Sequence, residues 1–397
     1  MSPNFEKMSR LATVFGSLVL SICLGEAGLR LISPDQYFVS PPGTRAVFRP
    51  SSEIMPGVEG ESHFSINEHG LRGDAFSADQ TYRILAVGGS ATECLFLDDK
   101  EAWPYLLQEI LNAKAELGKP IWIGNAARSG LNSRNHIVQV ERLTAQYPRV
   151  DALLILVGVN DLLYRLQADK QYRPFPGVEG LSSDEYQALM ASSFSVLPSR
   201  SVQFPLYVPM ELSSRLQAIK RRFFDAHNPA LIQDDAGKIY LEWRKNRRSA
   251  SSLRTSLPDL STALEEYARN LNRMIDDANT KQIKIIFVAQ PAMWRSELTK
   301  EEENLLWMGG VGDYQTEPGH EYYSSAVLAQ ALNVYNKTLL ATCRNRNIQC
   351  IDLASQLPIN TSVFYDDVHF NESGSRQVAR VIGAELLGNF AVSHAVR

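Results

Sequence analysis

Apolar positions gather into five short, nearly continuous runs, and the stretches between them repeat apolar residues at three- and four-residue intervals. Residues 82–87 form the first run, which breaks into Gly88-Gly89-Ser90. Residues 103–117 follow, with apolar side chains at 103, 106, 107, 110 and 111, one face of a helix. A second run, 120–125, leads into a loop over 126–133, with Gly130 near its end, and then into a helix over 137–147. Residues 151–157 are almost wholly apolar, as a strand covered on both faces requires, and end at Gly158-Val159-Asn160-Asp161. Ser256-Leu257-Pro258-Asp259 reads as a helix start, after which Leu260, Leu264, Tyr267, Leu271, Met274, Ile275 and Ala278 keep one apolar face. Residues 283–289 are the fourth run, 325–346 a helix and 348–352 the fifth run. Residues 364–370 then precede a last helix from 373 to about 387. Repeated βα units of this kind predict an α/β fold with a five-stranded parallel sheet and helices on both sides.

Four stretches break the rhythm. Lys7 and Arg10 precede an uncharged apolar run, 11–25, which continues through Glu26-Ala27-Gly28-Leu29-Arg30-Leu31-Ile32. Fifteen residues are short for a membrane span of about 20 and long enough for the core of a signal peptide. Glu26 and Arg30, four apart, can pair on one helix face. Ile22 is bulky where a lipoprotein box needs a small residue, and Gly25-Glu26-Ala27 is a poor cleavage site. Residues 1–33 are therefore read as an uncleaved membrane anchor in preference to a removed signal peptide, with the rest of the chain outside the cytoplasm, periplasmic or extracellular. Residues 34–80 are rich in Pro, Ser and Gly and form a collar, with a strand or hairpin over 64–73. Residues 165–255 are an insertion containing an amphipathic stretch, 213–224, and the basic clusters Arg215, Lys220, Arg221, Arg222 and Arg244, Lys245, Arg247, Arg248. Ten basic and four acidic residues between 215 and 254 leave this part near +6. It is read as a solvated surface, the alternative being a cap that attracts an anionic substrate or lipid head groups. Residues 292–324 form a loop bearing Trp294, Trp307, Tyr314, Tyr322 and Tyr323, which either line a sugar or acyl pocket or pack in the core.

A chain of 397 residues with 44% hydrophobic content can bury a large core, and a net charge of -4 carries no nucleic-acid footprint. Cys23, Cys94, Cys343 and Cys350 make neither a disulfide framework nor a CxxC metal pair. Cys343 and Cys350 are near enough in sequence to bridge a helix end to a strand; they are read as two unpaired core thiols. His63 and His69, six apart on a loop with no partner carboxylate cluster, make a weak metal pair.

The chemistry lies at the strand ends. Two glycines without Cβ bulk let the chain turn sharply after 82–87 and present the Ser90 hydroxyl at the carboxyl edge of the sheet, where ligands bind in open parallel sheets. Gly130, Asn160, and Asp366 with His369 fall at successive strand ends. A serine nucleophile needs a base, and imidazole suits that role. A carboxylate three residues before His369 can fix its tautomer. The backbone N–H groups of Ser90 and Gly130 and the Asn160 amide can converge on an oxyanion.

This set resembles the SGNH (GDSL-like) hydrolase superfamily. Gly88-Gly89-Ser90 is similar to block I, Gly130 to block II, Gly158-Val159-Asn160-Asp161 to block III and Asp366-Asp367-Val368-His369 to the DxxH of block V. Gly89 stands where the usual motif has an aspartate. The blocks span 82 to about 385, apart from the basic insertion, within a domain over 81–397. Asn67, Gly70, Arg72 and Gly73 after an apolar segment resemble exported bacterial members. The resemblance implies a flavodoxin-like three-layer α/β/α sandwich and ester or acyl chemistry without a metal or other cofactor. Ser90 would be the nucleophile, His369 the base, Asp366 its orienting acid, and Ser90, Gly130 and Asn160 the oxyanion hole. The implied substrate is an ester of a cell-envelope glycan or lipid. The alternatives are an O-acyltransferase using the same triad and a catalytically silent glycan-binding protein. Of the neighbouring residues, Asp367 is read as solvated or a local cap, Asp161 as a helix N-cap, Cys94 as a packed thiol, and His136 and His320 as surface or loop histidines.

Overall fold

Six apolar residues in a row cannot all face one side of a strand, so Ala152–Val157 needs cover on both faces, and every one of its residues is buried. The computed structural model describes residues 36–76, 82–114, 120–147, 149–197 and 231–395, with side chains to 388. In chain order the elements are β1 (Arg45–Phe48), β2 (Ser62–Ser65), β3 (Tyr82–Gly88), α1 (Ser90–Glu93), α2 (Trp103–Lys114), β4 (Ile121–Asn125), α3 (Ser133–Gln146), β5 (Ala152–Val157), α4 (Val159–Ala168) and α5 (Ser183–Ser193). They continue with β6 (Leu231–Gln233), α6 (Lys238–Arg248), β7 (Ser252–Arg254), α7 (Ser261–Thr280), β8 (Lys284–Ala289), α8 (Lys300–Leu305), β9 (Glu321–Tyr323), α9 (Ser325–Arg346), β10 (Gln349–Ile351) and α10 (Glu372–Ala395).

The central sheet has five parallel strands in the order β4-β3-β5-β8-β10. Ile84 on β3 faces Ile123 on one side and Ala152 on the other. Numbered along the chain the order is 2-1-3-4-5, which places a topological switch point between β3 and β5, where ligands bind at the strands' carboxyl ends. Helix α2 packs on α10, while α7 packs on both α3 and α9. The buried face of α7 includes Ala263, Tyr267, Leu271, Met274, Ile275 and Ala278.

Helix starts follow their caps. Helix α3 begins at Ser133, four residues earlier than its apolar spacing suggests, because Asn132 and Asn135 form a reciprocal capping box. Helix α7 begins at Ser261, where the Asp259 carboxylate accepts from the Ser261 N–H. The thiols read as unpaired are a disulfide: Cys343 at the end of α9 joins Cys350 on β10, with Cα atoms 6.1 Å apart. Asn347, at a φ of 52°, turns the chain back between them.

Two smaller sheets tie the irregular stretches to this core. Strand β1 pairs antiparallel with β2 and parallel with β6, so the later part of the insertion, from 231 onward, joins the collar at its start. A hairpin closes between Ile66 and Arg72, and Arg72 also pairs with Asn125, covering the outer edge of β4. Strand β7 pairs with β9, stitching the other end of the insertion to the aromatic loop. Residues 38–195 and 230–397 form one compact unit; a second, 1–37 with 196–229, falls almost wholly outside the described residues. The apolar segment at 1–33 and the basic stretch at 213–224 both lie there. Among the described residues no helix is long and apolar enough to cross a membrane.

Candidate active site

Strand β3 delivers the chain to Gly88, and the turn that follows has no room for side chains. A Cβ on Gly88 would come within 2.3 Å of Thr92 Oγ1, and one on Gly89 within 2.3 Å of Asn160 Nδ2. The missing bulk lets α1 fold tightly against the strand end and lets the Asn160 amide lie over residue 89. The carbonyls of α1 are then satisfied one by one. Ala91 O accepts from Trp103 Nε1 at 3.1 Å and Thr92 O from Asn125 Nδ2 at 2.7 Å. The buried Arg72 guanidinium donates to Glu93 O, Cys94 O and Leu97 O and pairs with Asp99 at 2.9 Å. Cys94, buried and at a φ of 54°, closes α1 as its cap.

At the other end of the chain a tight turn carries the acid and the imidazole. Phe364 and Phe370 bridge, Tyr365 N–H donates to His369 O, and Asp366 Oδ1 accepts from the N–H groups of Val368 and His369 at 3.0 and 2.9 Å. Asp366 Oδ2 lies 2.7 Å from His369 Nδ1, and His369 Nε2 lies 2.7 Å from Ser90 Oγ. Burial alone would raise the Asp366 pKa; the facing imidazole and the donated hydrogen bonds outweigh it and hold the carboxyl below its ordinary value. An ionised Asp366 only accepts, so Nδ1 carries the proton and Nε2 is free to accept from the hydroxyl. Burial lowers the His369 pKa, but Asp366 more than offsets it, and the group is raised.

Asn160 and Gly130 meet the same region from the start of α4 and from the loop after β4. Asn160 Nδ2 donates to Leu131 O at 2.7 Å, beside Gly130, while lying against Gly89, beside Ser90. Gly130 is exposed, with a φ of 81° that favours glycine. One Nδ2 proton of Asn160 is used by Leu131. A cleft of about 770 Å³ opens beside Gly130, lined by Asn132, Arg134, Tyr164, Arg173 and Phe175 among others.

Several side chains stand elsewhere than their sequence context suggests. Asp367 is fully buried and not solvated: it accepts from Trp294 Nε1 at 2.7 Å and from the N–H groups of Trp307 and Met308 at 2.8 and 3.2 Å. Burial, reinforced by Asp366, raises its pKa. Asp161 does not cap its own helix; it accepts from the N–H and hydroxyl of Ser133 at the start of α3, and burial pushes its pKa up to about 7. His136 is buried on α3 rather than exposed, with Nδ1 2.9 Å from Gln139 Oε1, and burial lowers it to about 4. His320 is partly exposed beside Glu317. His63 pairs with Asp98 and His69 stacks on Phe76, so the two do not share a site.

The aromatic loop packs as core, with Trp294, Trp307, Tyr322 and Tyr323 all buried, and it also serves the acids. Trp307 Nε1 donates to Asp366 Oδ2 at 2.9 Å. The second basic cluster is partly internal. Arg244 is buried and donates to Ile54 O, Leu305 O and Tyr365 O; Arg247 donates to Met308 O and Tyr323 O. Helix α6, from the insertion, therefore backs the turn that holds Asp366 and His369, and Tyr240 on it lies 6.3 Å from the His369 ring. Tyr240 and Glu93 were not expected here from the sequence, and Trp307 and Arg72, singled out there, take other roles, beside Asp366 and under α1. The apolar run Leu305-Leu306-Trp307-Met308, unusual for a loop, and an acid three residues after the serine were the available signals.

Solved structures resemble the chain only distantly. An acetylxylan esterase from Geobacillus stearothermophilus is 13% identical, covering 78% of this chain and 96% of its own, with a TM-score of 0.39. A member of the lipolytic G-D-S-L family from Veillonella parvula is 14% identical, covering 76% and 95%, with a TM-score of 0.36. Among curated proteins no sequence match is found. The sequence model of the GDSL-like Lipase/Acylhydrolase family matches residues 86–377, from within β3 to within α10 and through all four blocks, the last of which lies on the turn before α10 and not at a strand end. On that match the chain belongs to the GDSL-like lipase/acylhydrolase family.

Proposed function

We propose that the protein is an exported serine esterase that removes an acyl or acetyl group from a cell-envelope glycan or lipid, with Ser90, His369 and Asp366 as its triad. The observation that carries the reading is the unbroken hydrogen-bonded line from the Ser90 hydroxyl through both nitrogens of His369 to Asp366. Ser90 Oγ attacks the ester carbonyl as its proton passes to Nε2. The oxyanion is met by the N–H groups of Ser90 and Gly130 and by the second Nδ2 proton of Asn160. His369 then gives the proton to the departing alcohol, and water repeats the sequence on the acyl-enzyme, releasing the acid.

Export is supported by the uncharged run at 11–25 and by the Cys343–Cys350 disulfide, since such bonds persist in oxidising compartments. The membrane anchor at 1–33 keeps the catalytic unit outside the cytoplasm in this reading. The test is labelling with a fluorophosphonate, followed by release of acetate from an ester panel with and without a sugar acceptor. Labelling at Ser90 that disappears in Ser90→Ala, with acetate release, is the expected result. Transfer of acetyl to the sugar in preference to water would make it an O-acyltransferase. No label and no turnover would leave a glycan-binding protein.

A further inference from the structure

The exposed residue of the proposed oxyanion hole is held by very little of its own. Nothing would lie within 4 Å of a Cβ on Gly130, so packing does not fix it. Its position depends on what grips the residues beside it. On one side Asn160 Nδ2 donates to Leu131 O. On the other side stands Glu93, the last residue of α1, three after Ser90 and buried. Glu93 Oε2 accepts from the Ser129 N–H at 2.8 Å and also from the Ser129 hydroxyl. Ser129 contributes the carbonyl half of the peptide unit whose N–H belongs to Gly130.

We infer that Glu93 is a positioning residue: from the nucleophile's own helix it clamps Ser129, and so fixes the Gly130 N–H relative to Ser90 Oγ. This rests on the esterase reading above. The helix end that carries Glu93 is itself held, since Arg72 donates to the Glu93 carbonyl. The clamp thus has a base in α1, held by Arg72, and grips Ser129, whose carbonyl is joined to the Gly130 N–H in one peptide unit. A hole donor displaced by a fraction of an ångström stabilises the oxyanion poorly while leaving ground-state binding nearly intact, so the loss falls on kcat. Burial pushes the Glu93 carboxyl up, against the bonds from Ser129, and both of those bonds end on an oxygen. A Gln carbonyl oxygen can receive them equally well.

The experiment compares Glu93→Ala, Glu93→Gln and Glu93→Asp in the full-length protein, with p-nitrophenyl acetate as substrate and amide hydrogen exchange over 128–132. Because complete loss of one hole donor costs about 10² to 10³-fold, Glu93→Ala is expected to lower kcat about 10 to 100-fold with KM within twofold. Glu93→Gln restores most of that loss. Exchange at Ser129, Gly130 and Leu131 rises in Glu93→Ala and stays at the wild-type rate in Glu93→Gln. A folded Glu93→Ala protein with wild-type kcat, or with unchanged exchange over the loop, overturns the inference. Equal losses in the Ala and Gln variants also overturn it, because Gln keeps an oxygen to accept both bonds and the loss would then belong to the missing charge and not to the clamp. If Glu93→Ala does not fold, Glu93→Asp decides, because its shorter side chain withdraws the oxygen from both the N–H and the hydroxyl of Ser129: a lower kcat at unchanged KM supports the clamp, and an unchanged kcat overturns it. A wild-type protein that takes no phosphonate on Ser90 would sink the esterase reading, while the exchange comparison still decides the clamp.

Discussion

In the proposed reaction His369 has to be neutral to take the Ser90 proton, and its pKa is raised: burial lowers it, and Asp366 more than compensates. Activity is therefore expected to rise with pH through a midpoint above the ordinary 6.5 of an imidazole. The stability sign is opposite. The charged pair contributes stability below about 6.5 that is lost as pH climbs through the raised value. Asp366→Asn removes the charge that lifts the imidazole, so its pH–rate midpoint should move down while kcat falls; a midpoint that stays in place would mean another group sets it. Asp367→Asn is a different case. Three N–H donors point at this carboxylate, and an amide can offer them one oxygen, leaving its own NH2 against a donor. A cost of about 1–3 kcal/mol in urea unfolding is expected for such a mismatch, with a smaller effect on turnover than Asp366→Asn. Wild-type stability in Asp367→Asn would return that residue to a solvated role.

At the scale of elements, α1 is too short to hold itself together. Four residues satisfy almost none of their own carbonyls, and neighbours complete the job: Trp103 from α2, Asn125 from β4 and Arg72 from the hairpin. The collar is thereby part of the machinery that aims Ser90. Arg72→Lys keeps the charge but loses the planar fork that reaches three carbonyls and Asp99 together. It should lower kcat/KM about tenfold, since roughly 1.4 kcal/mol is tenfold and each hydrogen bond to a charged group is worth about 1.5–3 kcal/mol. Steady-state kinetics beside a thermal melt would check it; wild-type kcat/KM would show that α1 holds without the fork. Helix α6 makes the matching argument on the imidazole side, with Arg244 joining Ile54, Leu305 and Tyr365. A cluster that reads as basic surface is in part an internal fastening, because a guanidinium can be buried when carbonyls surround it.

For the whole molecule, the disulfide closes a short loop between α9 and β10, with a sequence separation of 7. Replacing Cys343 and Cys350 by serine should cost about 2–3 kcal/mol on the loop-entropy scale, and a reductant should lower the melting temperature of the wild type but not of the double variant. An equal response in both would mean the thiols are not paired in solution. If the segment at 11–32 remains as an anchor, the protein should sediment with membranes and retain residues near Met1; a soluble form starting near Gly28 would show a cleaved signal peptide. The sheet was legible because strands buried on both faces must be apolar throughout, and helices that cover them must repeat at 3.6. Ser90, Gly130 and Asn160 stood out because each follows such a run, whereas Asp366 and His369 lie on a turn well past β10 and stood out by their DxxH spacing. The sequence by itself thus determined the layers, the order of the blocks and the residue types brought to one edge. Tertiary structure alone decided which partners each acid found. Asp366 and Asp367 are adjacent and chemically alike, and only the turn geometry sends one to His369 and the other to Trp294 and Trp307. It also decided that Arg72, Glu93, Tyr240 and Arg244 belong around the site, because contacts between residues tens to hundreds of positions apart leave no periodic trace along a chain.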